Sequence, residues 1–469
     1  MLGFHRAGCT SIGGMDIDPT ASLSYALNFH AGEREELLKA HARSKDLTKI
    51  HPAELMIDLG YKETDGAVDI LVGGPPCPSF TRIGRAKLRE VQEHPEAFRQ
   101  DPRSQLYLPY LEYATELAPI AVLMENVPDF LNWGGHNLAE EICEVLEDLG
   151  YICAYTLLNA ANHGVPQMRE RMFLMAIHEL AGQEPSFPTP TRLVKFPTGY
   201  EGSRDVALKN LRTLPLFRHQ IRYVAPPQAP KDAPAPVTVE QAIGDLPLLT
   251  AHLEGKDRRG ARRFDKALSY REVRPISAYM REMREWPSFE GDGLIWDHVT
   301  RCLTNRDYRI FRMMQPGDEY PAAFAIAETL LEAEMVRLGR RGERPGLKTA
   351  AYKELRSAFV PPYDPTKFPN KWRKMERDKP ARTLMAHLGK DSYTHIHYDS
   401  SQARVLSVRE AARLQSFPDG FRFSGTMNPA FRQIGNAVPP LLALSIANKM
   451  LESIGAASEL CSIFQTQTG

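Results

Sequence analysis

The stretch Asp69-Ile-Leu-Val-Gly-Gly-Pro-Pro-Cys77-Pro-Ser-Phe-Thr81 joins a short apolar run to two glycines and two prolines. A run of this kind, bounded by Gly and Pro, predicts a buried strand that ends in a tight loop. Cys77 lies on that loop. In open α/β sheets, groups that act on a ligand lie beyond the carboxyl ends of the strands, so Cys77 is a candidate nucleophile. The alternative is an ordinary half-buried thiol, which is the commoner role of a lone cysteine.

Length and composition restrict the class of protein. A chain of 469 residues is too long for one compact core and predicts two domains. Lys plus Arg and Asp plus Glu both number 58, so any surface that binds nucleic acid must be local. Six cysteines without Cys-x-x-Cys pairs favour a reducing compartment over disulfides or zinc, and no metal site is predicted. Because no long apolar run or signal peptide is present, we expect a cytoplasmic protein without a membrane segment.

Two later segments repeat the pattern of an apolar strand that meets polar residues. Residues 119–128 place Glu125 at a strand tip beside the Cys77 loop. Residues 163–177 contain Gln167-Met-Arg169-Glu-Arg171, and alternation along a strand puts Gln167, Arg169 and Arg171 on one face. Two guanidinium groups can then point the same way, although a salt-bridged edge strand more often explains such a pattern.

The N-terminal region carries acidic residues where a cofactor could bind. A strand over residues 9–15 is expected to end at Asp16, before a helix with Asp18 as N-cap and Pro19 as first residue. An acidic residue at such a strand tip often binds ribose hydroxyls, so Asp16 is a cofactor candidate, with a cap or turn role as the equal alternative. Asp46-Leu47 is interpreted as the end of a third strand.

The sequence changes character after Glu184. It becomes rich in proline and loses periodicity, which marks a domain boundary. As far as Pro380, basic clusters alternate with aromatic residues, a composition suited to nucleic acid, although any one cluster is more often a solvated face. Further on, residues 406–419 predict a helix ended by proline, and residues 433–440 predict a tight turn into an apolar helix over 441–451.

Five motifs in a fixed order carry a family resemblance. They are Pro75-Pro-Cys77, Glu125-Asn-Val127, Gln167-x-Arg169-x-Arg171, Arg409-Glu-x-x-Arg413-Leu-Gln-Ser-Phe-Pro418 and Gln433-x-Gly-Asn436-x-Val-Pro439. Each motif alone is moderately specific, but five in this order at suitable spacing leave little room for coincidence. Over nearly its whole length, the chain resembles the DNA cytosine-5 methyltransferase family, and specifically its bacterial modification type.

The resemblance implies an α/β fold with a Rossmann-like S-adenosylmethionine-dependent methyltransferase domain and a smaller target-recognition domain. Residues 1–184 would form the catalytic domain and 185–380 the target-recognition domain with proline-rich linkers. Residues 381–469 would return to the catalytic domain. The implied substrate is double-stranded DNA, from which one cytosine is flipped out of the stack. A cognate restriction endonuclease is a candidate partner for an enzyme of this type.

The resemblance also implies the role of each site residue. Carbon 5 of cytosine is too weak a nucleophile to accept a methyl group from a sulfonium donor, and a thiolate that adds to carbon 6 makes it electron-rich. Cys77 would be that thiolate, Glu125 would hold ring nitrogen 3, and Arg171 would hold the base carbonyl, supported by Arg169. The cofactor-binding positions that match the family are Asp16, Ile17, Asp46, Leu47, Pro75 and Asn436.

The chain departs from the family in one motif, and two alternative functions remain open. The family's Phe-x-Gly-x-Gly turn after the first strand is absent, so we expect that Met1 is an internal start and that about ten to twenty residues precede it. The first alternative is a DNA-binding remnant that no longer binds the methyl donor. The second is a transfer-RNA methyltransferase, which ranks lower because that branch's Cys-Phe-Thr signature is missing, with only Cys302-Leu-Thr304 similar to it.

Overall fold

The computed structural model describes residues 1–62, 64, 66–75, 107–133, 137–197, 200–209, 221–256 and 266–455. In this part of the chain the α-helices are α1 (Leu2–Arg6), α2 (Pro19–Phe29), α3 (Glu35–Ala42), α4 (Pro52–Asp58), α5 (Tyr107–Leu117), α6 (Leu138–Asp148), α7 (Tyr200–Ala207), α8 (Val239–Ile243), α9 (Ala278–Arg284), α10 (Asn305–Met313), α11 (Tyr320–Gly339), α12 (Ala350–Phe359), α13 (Val408–Leu414), α14 (Met427–Asn436) and α15 (Pro440–Gly455). The strands are β1 (Ile70–Gly73), β2 (Ala121–Asn126), β3 (Tyr151–Asn159), β4 (Gln167–Met168), β5 (Glu170–His178), β6 (Leu268–Ser269), β7 (Leu294–Ile295) and β8 (Ala381–Arg382).

The chain divides into two compact units. The first contains residues 1–236 and 438–469, and the second contains residues 237–437. Among the helices described, none combines the length and the apolar character that a membrane span requires. The assignment of catalytic and recognition functions to particular segments stays a prediction.

A four-stranded sheet in the order β1-β2-β5-β3 forms the centre of the first unit. β1 and β2 are parallel, whereas β5 runs antiparallel to both of its neighbours. Strand β2 is almost continuously apolar and buried, as expected for a strand covered on both faces. The sheet confirms the mixed α/β class and brings the carboxyl ends of β1 and β2 to one edge.

Local sequence signals explain several helix boundaries in this unit. The Asp18 carboxylate accepts a hydrogen bond from Thr20 N–H at 2.9 Å, and Pro19 is the first residue of α2, as predicted. Gly8 and Gly150 follow helices with φ values of 98° and 85°, which favour glycine. Gly3 packs so closely on α15 that a Cβ there would lie 2.3 Å from Leu444 N.

The second unit is mainly helical, with a core around Phe311, Tyr320 and Trp372. Near the end of α10, the buried Lys374 ammonium donates hydrogen bonds of 2.8 and 2.9 Å to the Phe311 and Met314 carbonyl groups. These bonds satisfy carbonyls that have no partner within the helix.

Helix α13 is held by buried ion pairs. The Arg413 guanidinium donates to both Asp419 oxygens at 2.6 Å, and the Arg404 guanidinium donates to both Glu410 oxygens at 2.6 and 2.7 Å. A capping box joins Ser407 and Glu410 at the start of the helix. The motif residues Glu410 and Arg413 therefore organise the interior of the second unit.

Three predicted elements differ from the structure. Residues 9–15 form no strand, and the segment before Asp46 forms none either, although the structure describes both segments in full. Lys45 N–H donates a hydrogen bond to Asp16 C=O at 2.8 Å, but no ladder of further backbone bonds joins the two segments. The predicted turn over residues 433–440 is wrong in its first half, because residues 433–436 complete helix α14. The break comes later, where Pro439 precedes α15.

Candidate active site

Glu125 and Arg171 form an ion pair on the sheet of the first unit. The register of β2 and β5 places Glu125 opposite Phe173, so Arg171 is the diagonal neighbour on the same face. The Arg171 Nε lies 3.0 Å from Glu125 Oε1, and each side chain is 14% exposed. Two motifs separated by more than forty residues thus meet at one point, with polar atoms still open to a ligand.

The loop that follows β1 is tied to the Glu125 strand. Gly73 pairs in parallel with Met124, so Gly74 lies beside Glu125. A Cβ at Gly74 would lie 3.2 Å from Glu125 Oε2, so the backbone approaches the carboxylate closely here. The Asn126 amide donates to Pro75 C=O at 3.1 Å, and its oxygen accepts from Val127 N–H at 2.9 Å. Asn126 therefore fixes the start of the Cys77 loop relative to Glu125.

The two arginines of the third motif differ in exposure. Arg169 is 1% exposed, and burial, followed by repulsion from Arg171, lowers the pKa of its guanidinium well below the usual value. Burial also lowers the pKa of Arg171, against the opposing effect of Glu125. Both groups are cationic, because a guanidinium is not deprotonated in proteins. The two guanidinium groups create a positive electrostatic potential beside Glu125. Electrostatic interactions are strong in this region because it is poorly solvated and its effective dielectric constant is low.

A polar network supports β5 from the opposite face. Glu170 lies between the two arginines, 3.2 Å from the Arg204 Nε of α7. Arg204 also donates to Leu157 C=O on β3 at 3.2 Å, and Tyr200 of α7 hydrogen-bonds to Asn159. Burial raises the pKa of Glu170, and Arg204 partly offsets that effect. Helix α7 is thus anchored to the strand that carries Arg171.

The structure brings together four of the predicted cofactor residues. Asp16 and Ile17 precede α2, Asp46 and Leu47 follow α3, and the hydrogen bond from Lys45 N–H to Asp16 C=O joins the two segments. Asp46 is held by Thr48, whose backbone N–H and hydroxyl donate to its Oδ1 at 3.0 and 2.8 Å. These carboxylates can accept hydrogen bonds from ribose hydroxyls.

The apolar residues beside these carboxylates suit an adenine ring. Ile17 is 70% exposed, unusual for a large apolar side chain, whereas Leu47 packs partly into the core. A planar base would cover Ile17 and recover the free energy of hydrophobic burial. The residues present therefore fit an adenosine-containing cofactor.

Two predicted site residues are not placed in this site by the described contacts. Cys77 is outside the described residues. Asn436 is the last residue of α14 in the second unit, so its approach to the cofactor and base stays a prediction. Pro75 is buried and receives the Asn126 hydrogen bond.

Three positioning residues, Asn126, Tyr200 and Arg204, were not among the predicted site residues. The place of Asn126 beside Glu125 in its motif is a usable signal. No local pattern indicates Tyr200 or Arg204, because their contacts to residues 157–170 depend on how the chain returns to the sheet.

Comparison with known proteins gives a consistent result. The family model for the C-5 cytosine-specific DNA methylase matches residues 1–246 and 295–452. A candidate type II methyltransferase of Oceanobacillus iheyensis, M.OihORF3336P, is 37% identical over 97% of this chain and 93% of that protein. The type II methyltransferase M.AgeI of Thalassovita gelatinovora is 30% identical over 96% of both chains.

A solved structure of similar fold supports the architecture. A candidate DNA modification methyltransferase from an Escherichia coli prophage aligns with a TM-score of 0.59 at 18% identity, covering 97% of this chain and 95% of the other. Ordered motifs, the α/β sheet and the match of the family model over most of the sequence lead to one conclusion. This chain belongs to the C-5 cytosine-specific DNA methylase family, and its activity is the methylation of cytosine carbon 5 in DNA.

Proposed function

We propose that the protein methylates a cytosine flipped out of a specific duplex sequence, through a covalent adduct between Cys77 and carbon 6 of the base. The observation that carries this proposal is the Glu125–Arg171 pair beside the loop fixed by Asn126. Cys77 follows Pro75 by two residues, a reach of at most about 7 Å of chain. In this proposal Cys77 is the nucleophile, Glu125 the acid and Arg171 the cation that act on one base.

Each side chain has a separate part in this reaction. The Cys77 thiolate adds to carbon 6, and the electron pair of the ring double bond moves towards ring nitrogen 3, where Glu125 supplies or shares a proton. Arg171 donates to the carbonyl oxygen of the base and stabilises the negative charge that develops there. Once carbon 5 carries the methyl group, a base removes the carbon 5 proton and the electron pair re-forms the double bond to carbon 6. Cys77 leaves as the thiolate, and Glu125 takes back the proton from ring nitrogen 3.

S-adenosylmethionine is the proposed cofactor and, when bound, supplies the methyl group as an electrophile. Asp16 and Asp46 would hold the ribose hydroxyls, and Ile17 and Leu47 would contact the adenine. Pro75 and Asn436 are proposed to complete this site. Binding by isothermal titration tests the cofactor assignment and separates the enzyme from a DNA-binding remnant, which would take up no donor.

Covalent trapping tests the nucleophile. In a duplex library with 5-fluorocytosine in place of cytosine, carbon 5 has no proton to lose, so the adduct accumulates after methyl transfer. We expect a complex that survives denaturation for the native chain and for Cys302→Ser, but none for Cys77→Ser. A trapped complex with Cys77→Ser would refute the proposed role.

A second assay distinguishes DNA from transfer RNA as substrate. With labelled methyl donor, we expect transfer to unmethylated duplex DNA and none to transfer RNA. The reverse preference would overturn the DNA assignment. Sequencing of the modified DNA would then identify the recognition sequence and guide the search for a cognate endonuclease.

A further inference from the structure

Two buried histidines and an exposed glutamate form a cluster between α2 and α3. His30 follows the last residue of α2, Glu33 lies in the connection, and His41 is on α3. Glu33 Oε1 lies 2.7 Å from His30 Nδ1, and Glu33 Oε2 lies 3.3 Å from His41 Nε2. The imidazole rings are stacked, with centroids 3.5 Å apart, and their side chains are 2% and 3% exposed. None of these residues has a part in the methylation reaction described above.

We propose that His30, Glu33 and His41 bind one divalent transition-metal ion of the zinc class. Two imidazoles and a carboxylate are a ligand set that zinc uses in proteins, with the fourth position left to water. The three candidate ligand atoms lie within 4.8 Å of one another. Donors around a tetrahedral zinc are about 3.3 Å apart, given bonds of about 2.0–2.1 Å, so the His41–Glu33 distance already suits it.

The surroundings of His30 resemble those of a metal-bound histidine. Its second ring nitrogen, Nε2, lies 2.9 Å from the Tyr25 hydroxyl, which in turn hydrogen-bonds to Ser11 at 2.5 Å. Ligating histidines usually have such a partner on the nitrogen that does not bind the metal, which fixes the tautomer and the ring orientation. His30 Nδ1 is thereby directed to the cluster.

His41 provides an independent indication. Its Nε2 faces Glu33, and its Nδ1 is buried without a hydrogen-bond partner. Buried polar atoms are normally hydrogen-bonded, so this ring is an exception within the first unit that calls for an explanation. The two rings are nearly parallel, so the proposal requires the His41 ring to turn out of the stack when the ion binds, because only then do both lone pairs meet one ion. Glu33 is 35% exposed and provides the path of entry.

An ion at this position would restrain the segments proposed to bind the cofactor. Asp16 and Ile17 precede α2, and Asp46 and Leu47 follow α3, so an ion that joins α2 to α3 restrains the segments proposed to hold adenosine. Cysteine spacing alone predicted no metal site, because the ligands here are histidine and glutamate from a folded helix pair.

Metal titration of the untagged, chelator-treated full chain tests this proposal without reference to activity. We expect one equivalent of Zn²⁺ by elemental analysis, a visible absorption band with Co²⁺, and a higher melting temperature with Zn²⁺. Glu33→Gln and His41→Gln should each bind Co²⁺ at least tenfold more weakly. Glu33→Gln keeps the shape of a partly exposed side chain and should not impair folding, which circular dichroism checks. A loss of metal binding in this variant would therefore report the loss of a ligand.

The matched control is the exposed cluster of His51, Glu112 and Glu116, which has similar ligand types on the surface of the same unit. His51→Gln should retain the full equivalent of metal. The proposal is overturned if the native chain binds no stoichiometric metal, if His41→Gln retains it, or if His51→Gln removes it. None of these outcomes depends on the methylation assays, because metal content and spectra are read directly.

Discussion

The central sheet positions Glu125, and the Arg171 guanidinium provides the positive charge beside its carboxylate. The carboxylate lies at the end of a buried strand with a guanidinium 3.0 Å away, and only 14% of each side chain is exposed. The exposed part of each side chain is where the base would bind in the proposed reaction. The proposed reaction depends on a proton that Glu125 supplies to ring nitrogen 3 of the cytosine.

The first prediction concerns Glu125→Gln. The amide keeps the size of the side chain but cannot give a proton, so kcat should fall by about 10²-fold or more, a typical effect for a lost acid. Steady-state kinetics with duplex DNA measures the change. Asp148→Asn, an exposed carboxylate change in the same unit, should leave kcat within twofold, or about 0.4 kcal/mol.

The second prediction concerns Asn126→Ala, which removes the hydrogen bond to Pro75 C=O. The loop that carries Cys77 should lose its fixed start, so kcat should fall about tenfold or more because reacting groups must be held closely. Asn132→Ala is the matched control, since its amide donates to Val206 C=O at 2.8 Å in the same unit. Each change removes about 1 kcal/mol of stability, and equal losses of kcat would contradict a positioning role.

At the scale of elements, close packing explains a glycine in the last motif. A Cβ at Gly435 of α14 would lie 2.5 Å from Met385 C and Ala386 N. These are backbone atoms, which cannot move aside as a flexible side chain can. The helix therefore approaches residues 385–386 only because position 435 lacks a side chain.

The third prediction follows from this contact. Gly435→Ala should lower the free energy of unfolding by about 1–3 kcal/mol, the usual cost of overpacking, despite the better helix propensity of alanine. Urea denaturation followed by circular dichroism measures it. Gly32→Ala, at a site with open space and no unusual φ, should change stability by less than about 0.5 kcal/mol.

At the scale of the whole molecule, buried histidines make stability depend on pH. Burial lowers the pKa of His298 and of His395 to about 4 in the second unit. His298 bonds to Ser407 and Pro247, and His395 bonds to Thr394 and Arg382, all at 2.8–3.2 Å. Both rings are thus neutral in the folded protein, whereas an unfolded histidine has a pKa of about 6.5.

The fourth prediction concerns the pH dependence of the free energy of unfolding, whose direction follows from the difference in proton binding between the folded and unfolded chains. As pH falls below about 6.5, the unfolded chain binds protons that the folded chain does not, so stability is lost until about pH 4, at up to about 1.4 kcal/mol per pH unit for each histidine. Tryptophan fluorescence during urea denaturation reports mainly the second unit, which contains three of the four tryptophans. His395→Gln should reduce the slope, and an unchanged slope would rule out a contribution from this ring.

The fifth prediction concerns salt. The chain has a formal net charge of zero, so its binding to DNA should depend on local contacts between basic side chains and phosphates. Affinity should fall steeply with salt, by about 10³-fold between 50 and 200 mM if six or more phosphates are contacted. Arg340 and Arg341 are exposed after α11, and Gln at both positions should reduce the logarithmic salt slope. A flat dependence for the native chain would contradict ionic binding.

Local sequence patterns determined much of this protein by themselves. The helix that begins at Pro19 and the apolar helix predicted over residues 441–451 follow from an N-cap and an apolar run, which act within a few residues. The order of the five motifs determined the family, since reactive residue types must occur together for the chemistry to proceed. Residues 9–15 show the limit, because a strand exists only through its partners.

Only the tertiary structure decided which distant side chains meet. The register of β2 and β5 paired Arg171 with Glu125, and the position of Pro75 after β1 gave Asn126 its hydrogen-bond acceptor. The packing of α2 on α3 brought His30 and His41 into contact with Glu33. These contacts join residues that are adjacent in space rather than along the chain. Their energies depend on burial and distances of a few ångströms, which no local pattern specifies.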